Sequence, residues 1–356
     1  MATGQMGGHV ITTFKFKWID EDGDEAGFLR KKGSFDGSTL KLDDSEIPAE
    51  NIVDLETRDN RIILSIHTGE SEPAVFAFAV SGVASERLKG IIDVARSASW
   101  ARIEREELEA KGEGHLYREA TCQHCTAVIT LSRMEDSPQL YCSFCDTLTT
   151  IKNPQTAPPG EKSLRICEEC GMFSKPTKFT IFYFYFLLVI YGFRTSTTWR
   201  CPGCMRGEAW KMLFGNLIFL LGVPTAIIQL IRSYGGSVTG KFAGLDSANI
   251  KAKKGKSTAA LAQYREILKR VPHSAGLKYN IGLGLLEQKP ELATESFEMA
   301  LRDCSNYRPA AGLLAHCYEK SGADDKLAQL HYIWGSDQDR AKDESSSTTP
   351  LPIPKQ

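Results

Sequence analysis

Eight of the ten cysteines fall in four Cys-x-x-Cys pairs: Cys122/Cys125, Cys142/Cys145, Cys167/Cys170 and Cys201/Cys204. Thiolates at this spacing serve metal or redox chemistry and need a reducing compartment. The first two pairs read Cys122-x2-Cys125-x16-Cys142-x2-Cys145, the spacing of a four-thiolate zinc site. Two cysteines separated by two residues sit on a tight turn with both sulfurs facing one point. A hairpin between the pairs returns the chain to a second such turn, and four thiolates then complete a tetrahedral shell around Zn2+. That shell is closed, so the role it predicts is structural, not catalytic. His124 lies inside the first turn and reads as a neighbour of the site, not a fifth ligand.

Cys167, Cys170, Cys201 and Cys204 make a second candidate Zn2+ site, with thirty residues between its pairs. Cys201-Pro-Gly-Cys204 also has the composition of a redox dithiol. Such dithiols open a helix beside a βαβ pattern, and no such pattern precedes Cys201. A redox protein using Cys201 and Cys204 is therefore the alternative reading. Cys304 and Cys317 fall on expected helices and read as buried small hydrophobes.

The elements that must position the thiolates are short. Residues 127–131 and 140–141 supply two hairpin strands, Asp136-Ser137-Pro138 the turn, and 147–151 a third strand. Residues 118–151 thus resemble a zinc ribbon. Parts of 164–211 resemble zinc ribbons in which an aromatic hairpin follows the first cysteine pair. The matching residues are Cys167-Glu-Glu-Cys170-Gly171, the aromatic segment, and Trp199-Arg200-Cys201-Pro202-Gly203-Cys204. A Pro-rich linker, 152–163, separates the two modules.

Two apolar runs bear on where the second site sits. Residues 179–193 carry no charge between Lys178 and Arg194, and 212–231 lie between Lys211 and Arg232, with a break at Gly222-Val223-Pro224. As helices they would reach about 22 and 30 Å, against a bilayer core of about 30 Å. The expectation is a membrane segment at 212–231, membrane lipid as a partner, and the other parts facing the cytosol. Phe182-Tyr183-Phe184-Tyr185-Phe186 in the first run also reads as strand or interfacial belt. Two topologies follow. A transmembrane hairpin puts Cys201/Cys204 across the membrane from Cys167/Cys170. A monotopic form keeps all eight thiols on one face. Only the second lets the later pairs share a metal, unless chains pair.

Residues 9–80 alternate apolar and polar side chains, as in Val10, Thr12, Phe14, Phe16 and Trp18, which is the period of β-structure. Short strands are expected at 27–31, 38–42, 52–58, 61–67 and 74–80, with Arg58-Asp59-Asn60-Arg61 as a tight hairpin. Residues 83–111 change to helical spacing through Val83, Leu88, Ile91, Ile92, Val94 and Ala95. Many short strands closed by one helix resemble a pleckstrin-homology-like domain over 9–111. The resemblance implies phosphoinositide or peptide binding, with Lys15, Lys17, Arg30, Lys31 and Lys32 as a basic cluster. Residues 1–111 carry a net charge of −7, which opposes anionic lipid and favours a scaffold or protein-binding role.

Residues 246–336 alternate in helix pairs with a period close to 34, through Gly255, Ala260, Tyr264 and Pro272, then Tyr279, Gly282, Leu285, Ala293, Phe297 and Ala300, then Ala315, Tyr318, Gly322 and Leu327. This resembles tetratricopeptide repeats. The resemblance implies a groove for a protein partner, with Tyr264, Tyr279, Phe297 and Tyr318 as the candidate binding residues. A helical stack whose only task is packing is the plainer reading. About two and a half repeats are visible, so a homo-oligomer could complete the array. Residues 337–356 read as a disordered tail.

The chain has 356 residues, 42% hydrophobic and 24% charged, which predicts two or three domains and excludes a wholly disordered chain. With 43 basic and 44 acidic side chains, no nucleic-acid partner is expected. Residues 1–10 show no secretory signal. Gly255-Lys256-Ser257 lacks the first glycine of a phosphate loop, where Ile250 stands. The reading is a multidomain α+β membrane protein, not an enzyme. It joins a small β-barrel or sandwich plus helix, zinc ribbons, an apolar membrane hairpin and α-helical repeats into a membrane-attached scaffold.

Overall fold

The computed structural model describes residues 11–20, 23–68, 73–150, 163–187, 190–216, 223–235 and 238–345. The expected linker lies outside the described residues except for Ser163, and so does the 346–356 part of the expected tail.

In one compact unit, built from residues up to Arg133, period-two alternation produces a seven-stranded antiparallel sheet. Its strands are β1 (Thr12–Trp18), β2 (Lys31–Phe35), β3 (Thr39–Leu42), β4 (Ser45–Pro48), β5 (Ile52–Arg58), β6 (Arg61–Ile66) and β7 (Ala74–Ser81). They run in the order β4-β3-β2-β1-β7-β6-β5. Phe14, Phe16, Phe35, Leu40, Leu55, Ile62, Leu64 and Phe78 fill the core, and helix α1 (Ser85–Ala110) adds Leu88 and Ile92. Asp59-Asn60 is a two-residue turn with Asp59 in the left-handed region (φ 57° at Asp43, 56° at Asp59). α1 is tied to the sheet by Arg96, whose Nη1 donates to Val53 O at 2.7 Å and whose Nε donates to Asp93 Oδ1 at 2.8 Å.

The strand expected at 27–31 is not formed: Phe28 and Leu29 are exposed, and β2 starts at Lys31. Gly33 masked β2, because a mid-strand glycine reads as a breaker. A Cβ there would meet the Phe14 ring at 2.5 Å, so glycine is the clearance that lets the ring lie across the strand. Within the expected basic cluster, Lys17 pairs with Glu25 at 3.3 Å and Lys31 pairs with Asp43. Strands β8 (Glu119–Thr121) and β9 (Val128–Thr130) pair with each other in the same unit, and Val128 N donates to Ser97 Oγ of α1 at 3.0 Å.

The other unit, residues Met134–Gln338, holds three antiparallel hairpins and a helical segment. The hairpins are β10 (Gln139–Cys142) with β11 (Thr147–Thr150), β12 (Arg165–Ile166) with β13 (Phe173–Ser174), and β14 (Thr177–Leu187) with β15 (Ile190–Arg200). The helices are α2 (Pro202–Asn216), α3 (Val223–Gly235), α4 (Leu245–Lys253), α5 (Ser257–Arg270), α6 (Ala275–Leu285), α7 (Pro290–Asp303), α8 (Arg308–Ser321) and α9 (Asp324–Ser345). Tyr264, Tyr279, Phe297 and Tyr307 form the core of α5–α8, and Tyr141, Leu148, Leu164, Met172 and Phe173 of the hairpins complete it. Close helix approach depends on Gly282, where a Cβ would meet the Phe297 ring at 2.4 Å. Helix α9 continues to Ser345, so 337–345 of the expected tail is helix.

The membrane expectation is corrected here. The described residues of 179–193 lie in β14 and β15, whose backbone groups pair in continuous register from Thr177↔Arg200 to Leu187↔Ile190. The alternating aromatic pattern formed a ladder, not a helix. Of residues 212–231, 212–216 belong to α2 and 223–231 to α3, and 217–222 lie outside the described residues. The described residues of these helices, 15 and 13 in number, reach about 22 and 20 Å, short of the roughly 30 Å bilayer core. No helix among the described residues is long and apolar enough to cross a membrane. The fold is mixed α+β, and the transmembrane helix, the membrane hairpin and the membrane location inferred from these runs are withdrawn.

Candidate metal centres

Each of the first three cysteine pairs turns the chain at the end of a short hairpin: Cys122/Cys125 between β8 and β9, Cys142/Cys145 between β10 and β11, Cys167/Cys170 between β12 and β13. The sequence analysis instead paired 127–131 with 140–141; β9 pairs with β8 and β10 with β11. The residue after each second cysteine is left-handed, with φ 66° at Thr126, 57° at Asp146 and 67° at Gly171. Two of these turns share one hydrogen-bond pattern. Thr126 N donates to Cys122 O at 2.9 Å and Gly171 N to Cys167 O at 2.8 Å, while Cys122 N donates to Ala127 O and Cys167 N to Met172 O. This bonding curls the two sulfurs of each pair toward one point.

The fourth pair is built differently. Cys201 precedes α2 and Cys204 lies in its first turn. Met205 N donates to Cys201 O at 2.9 Å, and Cys204 N donates to Cys201 Sγ at 3.5 Å. Free N–H groups at a helix start favour a thiolate. Gly203 lies close against α4, where a Cβ would sit 3.0 Å from Ile250 Cγ1.

The sulfurs of Cys122, Cys125, Cys142 and Cys145 lie within 4.8 Å of one another, and so do those of Cys167, Cys170, Cys201 and Cys204. All eight predicted metal ligands are thus gathered into the two expected groups. A tetrahedral shell with zinc–sulfur bonds of about 2.3 Å has sulfur–sulfur edges of about 3.8 Å, and Cys170 Sγ and Cys201 Sγ are 3.8 Å apart. Four soft donors with no open position suit Zn2+. The transmembrane hairpin, which separated Cys167/Cys170 from Cys201/Cys204, is excluded by this gathering.

The second group shows why a cation belongs there. Hydrogen bonds from Cys170, Cys201 and Cys204 hold Cys167 far below the ordinary thiol range, and the bond to Cys167 holds the Cys201 proton in place. Without a metal the four sulfurs share protons, since close thiolates repel. With a divalent ion all four can ionise. Lys253 Nζ of α4 donates to Cys204 Sγ at 3.0 Å. Burial works against the Lys253 charge, but the bond to Cys204 and the neighbouring thiols raise it above the usual ammonium range. Arg200 is engaged elsewhere, with Glu169 at 2.9 Å and Glu208 at 3.6 Å. Arg165 stacks over Trp199 at 3.9 Å, and Glu168 accepts from Trp199 N at 2.9 Å.

Two asparagines join the hairpins to the helices. Asn306 Oδ1 accepts from Tyr141 N at 2.9 Å, and its Nδ2 donates to Tyr141 O at 2.7 Å. Asn280 repeats the device on Phe173, accepting from its N at 2.8 Å and donating to its O at 2.7 Å. In each case a side-chain amide acts as a strand partner for a residue beside a cysteine turn. Asn249 of α4 also donates to Phe173 O at 3.0 Å and accepts from Tyr264 OH at 2.7 Å.

The candidate partner-binding residues lie inside this assembly. Tyr264, Tyr279 and Phe297 are 1% exposed or less and Tyr318 is 7% exposed, so here they pack the helices. Cys304 and Cys317 are buried, and burial pushes the Cys304 thiol up. Sequence reasoning missed Lys253, Asn249, Asn280 and Asn306. One signal existed: Asn280 interrupts the apolar run from Tyr279 to Leu286, and a lone amide there wants a buried partner. No protein-family model matches the chain, and no curated protein matches it either.

Proposed function

We propose that the protein is a non-catalytic adaptor, in which two closed four-cysteine groups hold structural Zn2+ and the helical segment carries a protein partner. The observation behind this reading is the pair of four-sulfur groups, each without an open coordination position. In finer terms, both cysteine modules are zinc ribbons, residues 9–111 are a pleckstrin-homology-like domain, and α4–α9 are tetratricopeptide-like. The seven-stranded order closed by α1 and the serial packing of α4 to α8 support these assignments. Because the inner aromatics are buried, the partner surface falls on outward residues such as Leu292 and Met299, seven apart on α7 and 45% and 38% exposed.

Zinc stoichiometry tests the metal reading. Wild type should carry about two zinc ions, one for each cysteine group, and Cys201→Ser/Cys204→Ser about one. A single zinc unchanged by the double substitution would sink the second site and revive the redox reading of Cys201/Cys204. The adaptor reading predicts a specific partner lost on Leu292→Glu/Met299→Glu at unchanged melting temperature.

A further inference from the structure

We infer that Lys253 is the counter-cation of the second metal centre, carried there by α4, and that it governs how well that centre keeps its metal; the inference rests on the zinc reading above. Four thiolates around a divalent ion leave a net charge of about −2. Glu168 and Glu169 sit between Cys167 and Cys170 and add acidic groups. Arg200, the nearest arginine in sequence, is spent on Glu169 and Glu208. Lys253 places its ammonium on a ligand sulfur, Cys204 Sγ, at 3.0 Å.

Helix α4 is shaped to deliver that charge. Its last turn brings Ile250 against Gly203, where a Cβ would be only 3.0 Å from Ile250 Cγ1. Lys253 follows three residues later on the same helical face. One residue before Ile250, Asn249 holds Phe173 O at 3.0 Å, next to the Cys167/Cys170 turn. One short helix therefore touches both halves of the group, which lie far apart in the chain. A charge-assisted N–H···S bond draws electron density from the Cys204 thiolate. It lowers the reactivity of that sulfur toward electrophiles and offsets repulsion among the four ligands. Lys253 acts through Cys204 and is a positioning residue.

The test uses full-length, zinc-loaded protein as wild type, Lys253→Met, Lys253→Arg and Cys201→Ser/Cys204→Ser. N-ethylmaleimide is added, zinc release is followed with a chromophoric chelator, and mass spectrometry reads the order of cysteine modification. Zinc from the second centre is the portion missing from the double cysteine variant. Lys253→Met should release that portion about tenfold faster, the low end of the effect of removing a group that supports a metal ligand, with Cys204 modified earlier. Lys253→Arg should return the rate toward wild type. Wild-type release by Lys253→Met overturns the inference, and so does Lys253→Arg as fast as Lys253→Met, since charge is then not the agent. If wild type and the double variant carry equal zinc, the zinc reading of this site fails first and the inference falls with it.

Discussion

The two cysteine groups hold the same four ligands by different means. The first joins two turns, each inside its own short hairpin, with sixteen residues between the pairs. The second joins one such turn to a helix start, and α4 touches both parts. The first takes no ligand from a helix, although Asn306 clamps Tyr141 beside its second turn. The second needs the helical segment in place. Identical ligand sets can therefore differ in how far metal binding is coupled to the rest of the fold.

The largest expected effects separate the groups by what falls apart with the metal. Cys167→Ser should lose one zinc and also hydrogen-exchange protection in α4 and α6, because metal-binding free energy is folding free energy where no site is preformed. Cys122→Ser should lose one zinc while α4 and α6 stay protected. Equal loss of helix protection in both variants would erase the contrast.

Next come the two asparagine clamps. Asn306→Ala strands a buried N–H and a buried carbonyl of Tyr141, whereas Asn280→Ala strands the Phe173 N–H and leaves Phe173 O its bond from Asn249, at about 1–3 kcal/mol for each group left unpaired. Urea denaturation should show both variants destabilised, Asn306→Ala the more, and only Asn280→Ala should loosen the second centre toward alkylation. A smaller effect is expected from Gly282→Ala, where the new methyl meets the Phe297 ring. That overpacking should cost roughly 1–3 kcal/mol by the same measurement, without touching zinc content.

The smallest effect concerns the strand leading into the first group. Burial, then the hydrogen bond and charge of Glu119, push Tyr117 from 10.0 up to about 12. The folded chain keeps a phenol proton that the unfolded chain has already lost, so this contribution is present below pH 10 and fades as pH rises toward about 12. Other tyrosines are raised by burial as well, so the check is a phenolate absorbance titration in which Glu119→Gln moves one tyrosine down from about 12 and leaves the others in place.

What was legible in the sequence was what covalent spacing dictates. Two cysteines separated by two residues favour a turn, so all eight candidate ligands could be read, but whether the last two pairs share a metal stayed open between the two topologies. Alternation in Phe14, Phe16 and Trp18 foretold the sheet, and the helices of 246–336 followed from their spacing. The apolar runs were misread because summed hydrophobicity does not say whether backbone groups pair along one segment or between two. In 179–193 they pair between strands. Lys253, Asn249, Asn280 and Asn306 were out of reach for another reason. Each acts on a group far away in sequence, such as Phe173 or Tyr141, and no local pattern encodes that distance.

The β14–β15 hairpin carries one more consequence. Thirty residues separate Cys170 from Cys201, against sixteen between the pairs of the first group. The ladder, however, already brings Thr177 opposite Arg200. In polymer terms the ring that the metal must close then holds only the six residues from Gly171 to Pro176, together with the last strand pair. Shortening a ring this much lowers its closure entropy by roughly 1 kcal/mol. The hairpin is an inserted branch whose two ends meet at its base, so its length could vary by whole residue pairs without changing the span between the two halves of the centre.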